Sequence, residues 1–301
     1  MQVKECKCHR LAISLNQTLN GSHFEAKFRK AIQALTVEEC AKAMRFHYKD
    51  DTLASILGRL LLRQITRRLS NVDWNKIEFG RTQKGKPYLI SPSNTEYGLN
   101  VSHQGDYVAF ASSCSSRVGV DCMRIDKQRS NRTADEYITS MAKSASPEEL
   151  RTMRAQATEQ MKMIYFYRYW CLKEAVLKAR NDNATGEGLL SDLSRLNFHV
   201  NQDERYRPRC FITSTTVSLD GKLQDEWILE ETFIDEMHNA AVCREKHLPK
   251  QCSYSTNAET RIYFGFVDID FLLDGATVLN PLPADGSAEW ANFDAKPRKL
   301  F

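Results

Sequence analysis

The sequence lacks long hydrophobic runs. None approaches the roughly 18 apolar residues that a membrane-spanning helix requires, and the first ten residues, MQVKECKCHR, contain no apolar stretch of the kind found in a secretory signal. Charged residues make up 27% of the chain and the mean hydropathy is -0.49, which is the composition of an ordinary globular protein. The sequence therefore predicts a cytosolic protein that does not associate with membranes.

Several chemical signatures are also missing. The nine cysteines are scattered, Cys6 and Cys8 lack the two-residue spacer of a typical zinc knuckle, and no Cys-x-x-Cys pair is present. We therefore expect reduced, inert thiols. There is no Walker loop or G-x-G-x-x-G, and no G-x-S-x-G elbow surrounds Ser102. A net charge of +4 does not require nucleic acid, because it fits a polyanionic cofactor or an acidic protein equally well.

Alternating helical and strand patterns predict an α+β fold. Thr36 and Ser146 each begin a capping signature, and a helix with its apolar residues at near-helical spacing follows at about 51–70. Residues 152–179 read as helical, in one or two pieces. Residues 99–110 predict two strands joined near Gly105, and strand patterns recur between 196 and 243. The predicted organisation is an N-terminal α+β lobe at 1–115, a C-terminal α+β lobe with the metal and catalytic residues at 116–248, and an extension at 249–301, partly strand and otherwise loosely ordered.

Two short segments carry the clearest chemical signal. The strand pattern Val118-Gly-Val-Asp121 ends on a carboxylate, and the helical segment after Trp170 places Glu174 and Lys178 one turn apart. Asp121 and Glu174 would supply the carboxylates that Mg²⁺ prefers, if the fold brings them together. The alternatives are an ordinary surface ion pair for Glu174 and Lys178 and a turn-forming role for Asp121. Lys173 falls within the apolar arc of the same helix, where it must extend to solvent or find an anion.

Cationic side chains cluster in two further places. The segment Arg81-Thr-Gln-Lys-Gly-Lys86 joins three cations to a glycine and suits a pyrophosphate, or is a solvated hairpin turn. Four arginines lie along the helix at 51–70, and they either point toward an anion or lie in solvent. These are Arg59, Arg63, Arg67 and Arg68.

Taken in order, these motifs resemble those of the Sfp-type 4′-phosphopantetheinyl transferases. The set comprises Gly80-Arg-Thr-Gln-Lys-Gly-Lys-Pro87, Asn100-Val-Ser-His103, Gly119-Val-Asp121 and Trp170-x-x-Lys-Glu-x-x-x-Lys178. Each motif alone is weak evidence for the family, whereas all of them in this order and spacing are specific to it. The likeness covers roughly residues 35–245 and is greatest to the animal branch of the family.

The resemblance implies an activity and its partners. It implies a holo-[acyl-carrier-protein] synthase, which transfers 4′-phosphopantetheine from coenzyme A to a conserved serine of apo acyl carrier protein domains. The products are the holo-carrier and adenosine 3′,5′-bisphosphate, and the reaction depends on Mg²⁺. Carrier proteins of fatty acid synthase and related systems are the implied partners, with no nucleic acid or membrane. The implied fold is a monomer of two pseudo-symmetric α+β lobes, with antiparallel sheets and packed helices, that binds coenzyme A in the cleft between the lobes.

The resemblance also assigns residues. Asp121 and Glu174 would bind the metal, while Glu174, as the base or its positioning group, and Lys178 would be catalytic. The sequence departs from the family pattern at two positions. Met123 stands where many bacterial relatives have an acid, and Lys42 stands where a phosphate-binding arginine is expected. Arg45 would take over the role of that arginine. The implied coenzyme A-binding set is Lys42, Arg81, Thr82, Gln83, Lys84, Gly85, Lys86, Asn100, Val101, Ser102, His103, Asp121, Glu174 and Lys178.

Three other functions remain open at this point. A nucleic-acid-binding module would use the arginine helix and the 81–86 turn, would depend steeply on salt and would not need Asp121 or Glu174. A metal-dependent phosphohydrolase would use the same carboxylates with water as the nucleophile. A degenerate family member would bind coenzyme A or a partner without catalysis.

Overall fold

The computed structural model describes residues 6–82, 87–125, 132–180, 193–250, 252, 254 and 264–299. The chain divides into two compact units. Unit I comprises residues 1–10, 96–100 and 111–263, and unit II comprises residues 11–95, 101–110 and 264–301. The predicted lobe boundary near 115 and the predicted pseudo-symmetry stay predictions. Within the described part of the chain, every helix is too short or too polar to span a bilayer.

The secondary structure confirms the α+β class. The helices are α1 Leu15–Leu19, α2 Phe24–Gln33, α3 Val37–Met44, α4 Lys49–Ser70, α5 Ala134–Ser140, α6 Pro147–Arg154, α7 Glu159–Arg180, α8 Ile269–Leu273 and α9 Ser287–Asp294. The strands are β1 Arg10–Ser14, β2 Glu78–Arg81, β3 Pro87–Ser91, β4 Gly98–Gln104, β5 Tyr107–Ser113, β6 Val118–Arg124, β7 Leu196–His199, β8 Phe211–Ile212, β9 Thr216–Leu219, β10 Lys222–Leu223, β11 Trp227–Asp235, β12 His238–Glu245 and β13 Gly265–Phe266. Their sheets have the orders β13-β1-β5-β4, β6-β12-β11-β8, β10-β9-β7 and β2-β3.

Local sequence signals account for several element boundaries. Thr36 and Ser146 both form the reciprocal capping boxes that their sequences predict, before α3 and α6. The helical stretch at 152–179 is interrupted between Arg154 and Glu159, so it forms two helices. Strands β4 and β5 are separated by a turn at Gly105, whose φ of 62° favours glycine. These predictions are confirmed. Each concerns a feature that depends on contacts within a few residues, so the local sequence is enough to predict it.

Unit I is built on the sheet β6-β12-β11-β8, against which α7 packs. Strand β6 is an edge strand paired antiparallel to β12, with Asp121 opposite Ala241. The buried face of α7 contributes Leu172 and Val176 to the core, as the apolar arc in the sequence predicts. This packing places one flank of α7 beside Asp121. The strand continues to Arg124, so Asp121 lies at the middle of β6, whereas the sequence pattern predicts it at the end of the strand.

Unit II is built around α4, most of which is buried. Residues 264–299 belong to this unit: β13 pairs in parallel with β1, Leu11 opposite Gly265, and α9 places Phe293 in the core. The Phe293 ring stacks on Phe28, with centroids 4.2 Å apart. Within residues 264–299, which the sequence suggests are loosely ordered apart from a strand, the structure also has two helices, and Phe293 packs against a residue more than 200 positions away.

Candidate active site

Gly119 brings β6 unusually close to α7. A Cβ atom at this position would lie 2.0 Å from the Ala175 carbonyl oxygen and 2.5 Å from the Ala179 nitrogen. Only glycine allows the two backbones to approach this closely. The glycine of the Gly-Val-Asp motif therefore has a packing role, since it lets the helix carrying Lys178 lie against the strand carrying Asp121.

Asp121 and Lys178 form an ion pair at this contact. Lys178 Nζ lies 2.7 Å from Asp121 Oδ1 and also donates to the Val120 carbonyl oxygen at 3.0 Å. Burial disfavours the ammonium charge, but Asp121 and then Glu174 outweigh it, so the pKa of Lys178 is raised. Lys178 is therefore a fixed positive charge at neutral pH.

Glu174 lies one helical turn before Lys178 and is half-buried. Burial raises the pKa of its carboxyl group, Lys178 opposes that shift, and the negative charge of Asp121 adds to it. A carboxylate with a raised pKa accepts a proton more readily at neutral pH than an exposed glutamate does. The surface-pair alternative for Glu174 and Lys178 does not hold, because Lys178 pairs with Asp121 and Glu174 is partly desolvated.

The donor set suits a magnesium ion. Asp121 and Glu174 offer carboxylate oxygens, the ligands that Mg²⁺ prefers, and their mutual repulsion is relieved by a cation. A carboxylate has two oxygens, so the ion pair to Lys178 does not by itself exclude a metal at Asp121. Met123, half-buried on the same strand opposite Asn239, brings no hard donor.

Asn100 supports the strand that carries Asp121. Its buried side chain accepts a hydrogen bond from the Val120 backbone N–H, with 2.8 Å between Asn100 Oδ1 and the nitrogen. Because β6 is the last strand of its sheet, this bond satisfies a donor that no neighbouring strand pairs with in that sheet. The predicted contact of Asn100 with coenzyme A stays a prediction, whereas its positioning role is visible.

A second cluster of cations lines a cleft of about 690 Å³ within unit II. Lys42, Arg59, Arg63 and Arg81 all contribute to its wall, so the structure brings Lys42 and Arg81 to one cleft. Burial and the charge of Arg81 lower the pKa of Arg59 to about 10, and Arg59 Nε is buried with no hydrogen-bond partner among the described residues. Glu38, Glu39 and Glu78 also line the cleft, and the first two pair with Lys42 and Arg63. Among the described residues of the lining, four cations outnumber these three carboxylates, and an excess of positive charge favours an anion.

The other predicted coenzyme A ligands are only partly described. Thr82 is half-buried beside Arg81, and residues 83–86 (Gln83, Lys84, Gly85 and Lys86) lie outside the described residues. On β4, Val101 is half-buried, Ser102 is buried and His103 is exposed, all in unit II. Their predicted contacts with coenzyme A stay predictions.

Two family models cover most of the chain. The model described as 4′-phosphopantetheinyl transferase, N-terminal, matches residues 22–115, and that of the 4′-phosphopantetheinyl transferase superfamily matches residues 117–243. The chain belongs to the 4′-phosphopantetheinyl transferase superfamily. The second match contains Asp121, Glu174 and Lys178, so the geometry described above lies within the matched family region.

Individual relatives agree with this assignment. The human L-aminoadipate-semialdehyde dehydrogenase-phosphopantetheinyl transferase is 30% identical over 266 residues, which cover 85% of this chain and 83% of the human protein. The mouse protein of the same name is 33% identical over 229 residues, covering 73% and 70%. The 4′-phosphopantetheinyl transferase of Bacillus subtilis is 27% identical over 174 residues, covering 58% and 70%. The predicted likeness to the animal branch is confirmed, and the chain is a phosphopantetheinyl transferase.

Lys173 of this transferase has a structural role. Its ammonium lies 2.9 Å from Glu149 Oε2, both side chains are buried, and it donates to the carbonyl oxygens of Leu193 and Leu196 at 2.8 and 2.7 Å. Glu149 is the third residue of the capping box that begins α6. Lys173 therefore finds the anion that its place in the apolar arc requires, and it fixes α7, which carries the adjacent Glu174.

The arginine helix is largely neutralised by the transferase's own carboxylates. Arg63 is buried and pairs with Glu39 at 2.9 Å, while Arg67 and Arg68 both contact Asp274. Of the four arginines, Arg59 and Arg63 line the cationic cleft, and Arg63 is paired with Glu39 there. The spacing in the sequence could not distinguish these two from Arg67 and Arg68, because all four lie within three turns of one helix. This arrangement argues against a nucleic-acid-binding surface along α4.

Proposed function

We propose that the chain transfers the 4′-phosphopantetheine group of coenzyme A to a serine of apo acyl carrier protein domains, as a Mg²⁺-dependent holo-[acyl-carrier-protein] synthase. The observation that supports this best is the Asp121–Lys178 ion pair beside a half-buried Glu174. Two carboxylates and an ammonium suit attack at a phosphorus atom, which requires charge neutralisation and a nearby base. We further propose that the protein acts in the cytosol as a monomer.

In the proposed reaction the serine oxygen attacks the phosphorus that carries pantetheine. A new P–O bond forms to serine, the P–O bond to the nucleotide breaks, and adenosine 3′,5′-bisphosphate leaves with its electron pair. Glu174 accepts the serine proton or positions the base that does, which suits the raised pKa of its carboxyl group. Lys178 stabilises the negative charge on the pyrophosphate and the leaving group.

Asp121 and Glu174 would hold the magnesium ion. Bound there, Mg²⁺ would neutralise charge on the pyrophosphate of coenzyme A. Other residues of the chain hold these groups in position. Gly119 sets the spacing of β6 and α7, Asn100 fixes the backbone of β6, and Lys173 fixes α7.

The cationic cleft of unit II is the proposed site for phosphate groups of the nucleotide. Lys42 and Arg81 belong to the set that the family resemblance implies, and Arg59 adds a third cation with a buried Nε. A phosphate would offset the repulsion that lowers the pKa of Arg59. Arg45, the substitute considered from the sequence, caps the end of α3 and does not line this cleft among its described residues.

The proposed acceptors are carrier domains of fatty acid synthase and related systems. Such domains are usually acidic, and the net charge of +4 is compatible with them. Two relatives carry L-aminoadipate-semialdehyde dehydrogenase in their names, so a carrier domain of that type is a second acceptor to test.

Intact-mass spectrometry of an apo carrier protein, incubated with the chain, coenzyme A and Mg²⁺, tests the proposal. We expect the carrier to gain one phosphopantetheine, and the gain to disappear with EDTA, with Glu174→Gln and with Lys178→Met. Glu236→Gln, in an exposed turn of the same unit, is the matched control and should retain full transfer.

Other outcomes would refute the proposed reaction. Release of adenosine bisphosphate without a carrier would indicate a phosphohydrolase. Binding of coenzyme A without transfer to any of several carriers would indicate a degenerate family member. Transfer that survives EDTA would refute the role of the metal while leaving the family assignment intact.

A further inference from the structure

Four cysteines converge at one point in unit I, outside the site described above. The sulfur atoms of Cys6, Cys8, Cys114 and Cys252 all lie within 4.8 Å of one another. Cys252 Sγ is 3.5 Å from both Cys6 Sγ and Cys8 Sγ. The first two precede β1, the third follows β5 and the fourth follows β12, so three distant segments meet here.

The spacing fits a single tetrahedral metal ion. A zinc ion binds thiolate sulfur at about 2.3 Å, which places the four sulfurs of a tetrahedral site about 3.8 Å apart. A disulfide requires about 2.05 Å between sulfurs, so the 3.5 Å pairs are separate thiols. One disulfide would also use only two of the four cysteines. Soft sulfur donors in a set of four favour zinc over magnesium or calcium.

The backbone around the cysteines donates hydrogen bonds to sulfur. The Lys7 N–H donates to Cys114 Sγ at 3.2 Å, and the Cys114 N–H donates to Cys8 Sγ at 3.3 Å. Such reciprocal bonds support negative charge on sulfur and orient metal ligands. They join the Cys6–Cys8 segment to the turn after β5, and that pairing holds three of the four sulfurs together.

Further contacts fix the same two segments. Ser112 Oγ accepts from the His9 N–H at 3.0 Å and donates to the Lys7 carbonyl oxygen at 2.7 Å. Buried Arg10 donates to the carbonyl oxygens of His9 and Ser112, at 2.9 and 2.7 Å, and pairs with Glu230. The cysteine positions are thus set by a network that does not depend on the sulfurs. A preformed set of ligands lowers the conformational cost of binding a metal.

We propose that Cys6, Cys8, Cys114 and Cys252 bind one zinc ion in a closed site that stabilises unit I. On binding, each thiol gives its proton to solvent and forms a sulfur–zinc bond, so the ion gains four thiolate ligands without any redox step. Four protein ligands leave no open coordination position, which makes the site structural and separate from the transfer chemistry. Its role is to tie the segment after β12 to the N-terminal segment and the turn after β5.

Metal analysis of the full-length protein, purified under reducing conditions, tests this site. We expect about one zinc per chain in native mass spectrometry and elemental analysis. Cobalt substitution should give the visible absorption of a tetrahedral tetrathiolate complex. Cys8→Ser and Cys252→Ser should each lose zinc and the cobalt spectrum, whereas Cys210→Ser, a half-buried cysteine elsewhere in unit I, should retain both. Glu174→Gln should keep its zinc, because the carboxylate site is a different one.

Several outcomes would overturn the zinc proposal. One is wild-type protein that folds, stays reduced and takes up neither zinc nor cobalt when these are supplied. Another is zinc that remains in the double variant Cys8→Ser/Cys252→Ser. If the serine variants fail to fold, the cobalt spectrum of the wild-type protein still decides, since a spectrum without thiolate-to-cobalt bands refutes cysteine ligation. A mass lower by two hydrogens in protein purified without reductant, together with no metal, would instead identify a disulfide.

Discussion

Gly119→Ala tests the close approach of β6 and α7 on which the transfer site depends. The added Cβ would lie 2.0 Å from the Ala175 carbonyl oxygen, 2.5 Å from the Ala179 nitrogen and 2.9 Å from Lys178 Cβ. Two of these neighbours are backbone atoms, so the helix as a whole must retreat by about 1 Å to reach an acceptable contact. Overpacking of this kind costs about 1–3 kcal/mol. Because the retreat separates Lys178 from Asp121, a misplacement of about 1 Å should also lower transfer by about 100-fold.

Two measurements check this variant. Thermal unfolding should show a melting temperature lower by about 2–4 °C for each kcal/mol lost, and the mass-spectrometric transfer assay should show the loss of rate. The matched control is Gly58→Ala in α4, where the new Cβ has only ordinary contacts, at 3.6 Å to Val101 and 3.8 Å to Val108. That variant should gain up to about 1 kcal/mol, since alanine favours a helix over glycine. Gly119→Ala with wild-type stability and rate would refute the packing argument.

Three further variants separate charge, structure and ligand binding. Burial raises the folded-state pKa of Glu174, so the contribution of this carboxyl group to stability is greatest below about pH 4 and declines as the pH rises through the folded pKa. The melting temperature of Glu174→Gln should therefore rise relative to that of the wild type between about pH 4 and pH 7. A difference in melting temperature that stays constant over this range would contradict the raised pKa. Lys173→Met leaves the buried Glu149 carboxylate without its cation and should lower the free energy of unfolding, measured in urea, by about 3–5 kcal/mol. The double variant Lys173→Met/Glu149→Gln should recover part of that loss. Arg59→Ala should weaken the binding of adenosine 3′,5′-bisphosphate about tenfold in calorimetry. Arg68→Ala loses a pair to Asp274 and a cation–π contact with Phe271, both away from the cleft, and should bind normally. Equal effects of the two variants would exclude the cleft as the phosphate site.

Several features of the fold were predictable because their causes are local. The capping boxes at Thr36 and Ser146 and the turn at Gly105 each depend on residues within about four positions. The α+β class followed from the periodicity of apolar residues. Lys173 could be predicted to need an anion from its place in the apolar arc, but not which one, because Glu149 lies on another helix.

The candidate active site also has some features that the sequence predicts and others that it does not. Asp121, Glu174 and Lys178 could be named from the sequence, since motif order and spacing identify the family. The packing reason for Gly119 and the strand-supporting bond of Asn100 could not, because both depend on how α7 and β4 meet β6. Among the four arginines of α4, only the packing of the helix decides that Arg59 and Arg63 line the cleft while Arg67 and Arg68 contact Asp274.

The sequence by itself determined the family, the α+β class and the residues with the right chemistry, because those depend on residue types and short-range spacing. Tertiary structure alone decided which groups meet. Lys178 pairs with Asp121 across 57 positions, and four cysteines without any metal-binding spacing converge from segments more than 100 positions apart. Contacts at such separations form when whole helices and sheets pack, so no local pattern in the sequence records them.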